Sequence, residues 1–210
     1  MARFEYIREP AEIYRKSFEI VGSEAELDRL PEGMRAIAIR LIHSCGMVDI
    51  IDDLAFSEDA VRSGQNALRE GASVFTDVEM VKSGIIERLL PVSNELICTL
   101  NVPRVPEVAQ AIGNTRSAAG VDLWGQDLQG GVVVIGNAPT ALFRVLEVIA
   151  AGGPRPALII GIPVGFVGAV ESKQTLAANT LGLEYITVHG RRGGSAMASS
   201  VVNALCGGLG

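Results

Sequence analysis

The sequence predicts an α/β fold built on one doubly wound, mostly parallel sheet of about five strands with N-terminal helices, and three observations lead there. Short apolar runs recur along residues 72–188, and each is followed by helix-like sequence. Alternating strand and helix implies right-handed crossovers and helices on both faces of the sheet. The chain is 48% hydrophobic with a mean hydropathy of +0.32, as expected of strands buried on both faces and of an oligomer interface. Finally, the first third of the chain reads as helical, and nothing in its 210 residues looks like an interdomain linker. One domain over residues 1–210 is expected.

The elements follow in order. Residues 10–21 predict a helix with Ile13, Ser17, Ile20 and Val21 on one stripe. A second helix carries Met34, Ile37, Leu41 and Ile42 and stops at Gly46, a residue that accepts positive φ at no steric cost. Residues 57–70 read as a third, capped by Ser57 with Glu58 and Asp59 in its first turn. Strands are expected at 72–75, 96–100, 132–135, 157–162 and 185–188. Gly120 and Gly125 weaken a helix over 115–128, which leaves Trp124 without a clear place. Gly136-Asn137-Ala138-Pro139-Thr140 parses as a tight turn into a helix, with Pro139 in the first turn and Asn137 or Ala138 near the cap.

Composition excludes several classes. No apolar run reaches the roughly 18 residues of a membrane span, and the first ten residues show no apolar core with a small-residue cleavage site. A soluble cytoplasmic protein is expected. A net charge of −6 and a pI near 5.0 argue against nucleic acid, which needs a clustered basic surface. Cys45, Cys98 and Cys206 form neither a disulfide framework nor a zinc pattern. Residues 161–168 lack the Lys-Ser/Thr ending of a P-loop, and no strand leads into Gly-x-Gly-x-x-Gly.

Open parallel sheets bind ligands beyond the carboxyl ends of their strands. There the sequence places Asn101, Asn114-Thr115-Arg116-Ser117, the Gly136 turn, Pro163-Val164-Gly165-Phe166, and Gly190-Arg191-Arg192-Gly193-Gly194-Ser195. Arg116, Lys173, Arg191 and Arg192 are candidate anion-binding residues from these loop and helix-start positions. His189, at a strand end, either lines the site or is structural.

Arg40-Leu41-Ile42-His43-Ser44-Cys45-Gly46 holds one of only two histidines in the chain. Arg40 and His43 lie one turn apart, so a permanent cation and an imidazole, which titrates near neutrality, can reach one ligand. The same spacing also suits a buried histidine beside a snorkelling arginine. Cys45 reads either as a nucleophile near His43 or as a small buried thiol.

Together with Ser17-Phe18, the Gly136 turn, Ile159-Ile160-Gly161-Ile162-Pro163-Val164-Gly165-Phe166-Val167 and Glu171-Ser172-Lys173, this segment closely resembles the precorrin-8X methylmutases of cobalamin biosynthesis, from about Tyr6 to Leu205. The resemblance implies a flavodoxin-like sheet and an isomerase that moves a methyl group from C-11 to C-12 of the macrocycle, turning precorrin-8X into hydrogenobyrinate. It also implies the cobalt-containing ring as the alternative substrate. Such a 1,5-sigmatropic shift requires no external methyl donor, metal or other cofactor. By the same resemblance His43 matches the proton donor and acceptor, and Arg40 and Ser17 match substrate-contacting positions. With the apolar excess, the resemblance implies a homodimer whose active sites lie near the interface. A tetrapyrrole carrier and a flavin- or nucleotide-binding protein are the rival classes.

Overall fold

The structure is a computed structural model and describes residues 4–207. Its helices are α1 Pro10–Glu24, α2 Glu32–Cys45, α3 Ala60–Arg69, α4 Glu79–Gly84, α5 Val105–Ile112, α6 Arg116–Asp122, α7 Pro139–Ala150, α8 Ala169–Ala177 and α9 Ser195–Gly207. Its strands are β1 Leu54–Phe56, β2 Val74–Thr76, β3 Leu96–Cys98, β4 Val132–Ile135, β5 Leu158–Gly161 and β6 Tyr185–Val188. They form one sheet in the order β1-β6-β5-β4-β2-β3. Every pairing is parallel except β1 with β6.

The five expected strands are present, and a sixth joins them. Strand β1 is only three residues long and follows directly on a 3₁₀ segment, Val48–Asp53, so no alternating run announces it. It pairs Leu54 with Val188 and Phe56 with Ile186, covering an edge that β6 would otherwise expose. With β1 set aside, the order is the 2-1-3-4-5 of flavodoxin-like sheets, whose direction of winding reverses between β2 and β4.

Side chains alternate across the sheet. Val132 and Val134 of β4 pack into a core with α2, α3 and α9, while Val133 and Ile135 pack into a second core with α7 and Leu176 of α8. All four are fully buried, as a parallel strand with helices on both faces requires.

Two sequence expectations change. Ser57 does not cap α3. Its hydroxyl donates to Glu184 at 2.5 Å and accepts from the Tyr185 amide at 2.9 Å, tying the end of β1 to β6. The helix expected at 115–128 is two pieces, α6 and a 3₁₀ turn Gly125–Leu128, separated where Gly125 takes φ +53°. Trp124 lies between them, buried, with its indole N–H on Thr99 Oγ1 at 3.0 Å and its ring 5.3 Å from that of Phe75. No helix among the described residues is long and apolar enough to cross a membrane.

Candidate active site

Helix α2 ends as its sequence requires. Gly46 adopts φ +70°, and its amide closes the last turn onto the Ile42 carbonyl at 2.7 Å. That stop leaves His43 exposed in the final turn, with Arg40 one turn back and only 7% exposed. Helix α1 packs against α2 and brings Ser17 Oγ to 2.7 Å from His43 Nδ1. Phe18 meets the imidazole edge-on at 5.4 Å between centroids, Tyr14 lies 5.6 Å from it, and the Arg40 guanidinium carbon is 5.8 Å from the Phe18 centroid. Thus Ser17, Arg40 and His43 converge, with Phe18 neighbouring both the imidazole and the guanidinium.

Chemically, the Ser17 contact commits one imidazole nitrogen and leaves Nε2 as the working atom. The hydroxyl can donate to Nδ1, leaving a proton on Nε2, or accept from it, leaving Nε2 as a base. Burial lowers the Arg40 pKa from its ordinary value; nearby Tyr14 opposes the shift and Arg88 adds to it. Arginine stays charged regardless.

Two cavities flank α1. One of about 540 Å³ is lined by Ser17, His43, Ile13, Ile20, Ile42 and Val48. The other, about 730 Å³, is lined by Tyr14, Phe18, Arg40, Arg88 and Leu89 among others.

A second cluster sits at the carboxyl ends of β5 and β6, beside the loop that follows His43. Arg192 donates to Asp49 at 2.8 Å and to Asp53 at 2.5 Å. Lys173 is fully buried in α8 and donates to the Arg192 carbonyl at 2.7 Å. Burial brings its pKa down to about 8, partly offset by Asp53. Arg191 stacks over Phe166 at 5.2 Å and has no ion pair among the described residues. Together with Met47 and Val164, Arg191, Arg192 and Phe166 line a cavity of about 300 Å³. Of the three basic candidates here, only Arg191 has a side-chain cation with no hydrogen bond or ion pair among the described residues.

Arg116 opens α6, where its guanidinium donates to the Leu100 carbonyl at 3.1 Å. No contact within the described residues joins it to His43. His189 is half-buried, and its amide donates to the Asp53 carbonyl at 2.8 Å. Burial pushes the Cys45 thiol up, away from the thiolate a nucleophile needs. No group of three or more His, Cys, Asp or Glu residues among those described is arranged to hold a metal ion.

Three contributors escaped the sequence reading. Tyr14 had a signal: with Ser17 and Phe18 it makes an i, i+3, i+4 set on one helix face. Arg88, on the 3₁₀ turn Glu87–Leu89, had none. Asp77 directly follows β2, at the point where the winding of the sheet reverses. Its carboxylate accepts the amides of Gly136, Asn137 and Ala138 at 3.0, 2.9 and 2.7 Å. Burial pushes this carboxyl up, and the three amides pull it back. A doubly wound fold commonly uses these amides for a ligand anion; here the chain fills the position itself.

A model of the precorrin-8X methylmutase family matches residues 12–207. The chain belongs to the precorrin-8X methylmutase family. Within that family it is 53% identical over 201 residues to the precorrin-8X methylmutase of Pseudomonas aeruginosa, covering 96% of this chain and 97% of the relative. It is 40% identical over 210 residues to the cobalt-precorrin-8 methylmutase of Salmonella typhimurium, covering 95% and 96%. A solved precorrin-8X methylmutase from Thermus thermophilus superposes with a TM-score of 0.84 at 34% identity, over 93% of this chain and 94% of that one. Family membership makes the chain an isomerase of cobalamin biosynthesis.

Proposed function

We propose that this chain moves the methyl group of metal-free precorrin-8X from C-11 to C-12, giving hydrogenobyrinate, with His43 as the proton donor and acceptor. The observation that carries the reading is the 2.7 Å contact between Ser17 Oγ and His43 Nδ1 beside Arg40. It supplies a positioned imidazole next to a permanent cation, which is what proton placement on an anionic macrocycle needs. In the shift, the bond from the methyl to C-11 breaks as the bond to C-12 forms. His43 lends a proton to the ring and takes one back, so the formula is unchanged. Arg40 and Arg191 supply guanidinium forks for the carboxylates of the substrate. Residues 1–210 act as one catalytic domain in the cytoplasm.

A homodimer fits the exposed face of α1, where Ile13, Tyr14 and Ile20 are 43–47% exposed beside the cavities. A second copy covering that face would complete the walls around a large ring. Light scattering that gives a stable 22.1 kDa species at micromolar concentration would contradict the dimer.

The metal-free ring is preferred because the 53% identical relative is named for it, whereas the cobalt form names the 40% identical one. Incubating the purified protein with each ring and following the visible spectrum separates them. Conversion of only the cobalt-loaded ring would reverse the choice.

A further inference from the structure

The turn that follows α2 is shared by two cavities. Gly46 and Val48 line the one that holds His43, while Met47 between them lines the one of about 300 Å³ that Arg192 also lines. The turn runs into the 3₁₀ segment Val48–Asp53, and so short a 3₁₀ ladder gives little rigidity of its own. Support comes from the sheet instead. The main chain at Arg192 is held from two directions: buried Lys173 donates to its carbonyl at 2.7 Å, and two residues on, the Gly194 amide donates to the Ile162 carbonyl at 2.9 Å. Gly193 lies so close to the end of β5 that an added Cβ would stand 2.5 Å from the Ile162 carbonyl oxygen. From this seat the Arg192 guanidinium reaches Asp49 at 2.8 Å and Asp53 at 2.5 Å, both on the 3₁₀ segment. Two carboxylates on one short segment repel each other, and a guanidinium between them turns that repulsion into a tie.

We propose that Arg192 is a positioning residue: seated on the sheet by its main chain, it holds the turn after α2 through Asp49 and Asp53 and so fixes the wall beside His43 that the substrate ring meets. Its place at a strand end suits a carboxylate-binding arginine, but its fork is already taken by two carboxylates of the chain itself. The contribution is therefore geometric, and a misplacement of about 1 Å can cost on the order of 100-fold in rate. This role rests on the reading of His43 and of the substrate given above.

The test is a cycle of wild type, Arg192→Gln, the double variant Asp49→Asn with Asp53→Asn, and all three changes together. Each is followed by steady-state turnover of precorrin-8X, hydrogenobyrinate titration and thermal melting. Exposed ion pairs contribute little to stability, so every variant should melt within about 4 °C of wild type. In Arg192→Gln and in the double variant alike, kcat should fall on the order of 10- to 100-fold, with product affinity nearly unchanged. The triple variant should be no slower than either, since all three changes cut one tie. Arg192→Lys should recover part of kcat, because a point charge can keep one of the two carboxylates. Direct contact with substrate gives the opposite split: a raised KM and weaker product binding in Arg192→Gln, and tighter binding in the double variant, which has lost two negative charges. That result would overturn the positioning role. So would an unchanged kcat in Arg192→Gln, or losses that add in the triple variant, with wild type converting precorrin-8X normally. A wild-type protein that neither binds nor converts the ring would overturn the substrate and the positioning role together.

Discussion

Replacing Asp77 by alanine should cost the fold more than any other single change of one polar side chain at the strand ends. The carboxylate accepts three backbone amides at 2.7 to 3.0 Å and is only 3% exposed. Hydrogen bonds to a charged group are each worth about 1.5–3 kcal/mol, but their sum overstates the loss. Alanine also removes the cost of burying the carboxylate, and water can enter to reach the amides. What remains resembles the loss of one partner from a buried pair, about 3–5 kcal/mol. At 2–4 °C per kcal/mol for a chain of this size, the melting temperature should fall by roughly 10 °C. Asp77→Asn should fall in between, because it keeps an acceptor oxygen yet turns an N–H toward one of the amides. Urea denaturation of the three proteins at pH 7 gives the values directly. A loss below about 1 kcal/mol in Asp77→Ala would show that the carboxylate does not hold the β4–α7 turn.

Lys173 gives a pH signature. Its pKa of about 8 in the folded chain lies below the ordinary 10.5, so between those values the unfolded chain holds a proton that the folded chain has lost. Stability from this group therefore rises with pH through that window, by up to about 3 kcal/mol. Lys173→Met should lack the rise, and denaturation midpoints that run parallel for the two proteins from pH 7 to 10 would contradict it. Ser17→Ala should lower kcat by about 10- to 100-fold and move the pH profile, because it frees the imidazole tautomer. Ser17→Thr should restore both, whereas an unmoved profile in Ser17→Ala would make Ser17 a packing residue only.

The strands were legible where both faces are buried. Runs such as Val132–Ile135 and Leu158–Gly161 stand out because every residue in them is buried. Strand β1 was not, since three half-buried residues at a sheet edge carry no period. In the site, the Arg40–His43 spacing and the Gly46 stop could be read because one helix sets them. Ser17 came with the family resemblance rather than from spacing. Arg88 could not be found, because its place beside Arg40 depends on how α4 and its following turn pack, which no local pattern encodes. Lys173 and Arg192 had the right chemistry at the strand ends. Their charges, however, meet groups of the chain itself: a carbonyl for the lysine, and Asp49 and Asp53 for the arginine. Sequence position alone does not distinguish an anion site that awaits a ligand from one the fold has already filled, and Asp77 makes the same point.

Single-turnover spectroscopy of His43→Ala with precorrin-8X, run beside a titration with hydrogenobyrinate, tests the role of the imidazole most directly. A positioned proton donor accounts for about 10²- to 10⁴-fold in rate, while in the function proposed above the carboxylate contacts that set affinity belong to arginines and not to the imidazole. The folded variant should therefore bind product nearly as well as wild type and convert substrate at least 100-fold more slowly. Near-wild-type turnover in folded His43→Ala would contradict proton transfer by His43, and a parallel loss of stability and affinity with turnover intact would make it a structural histidine.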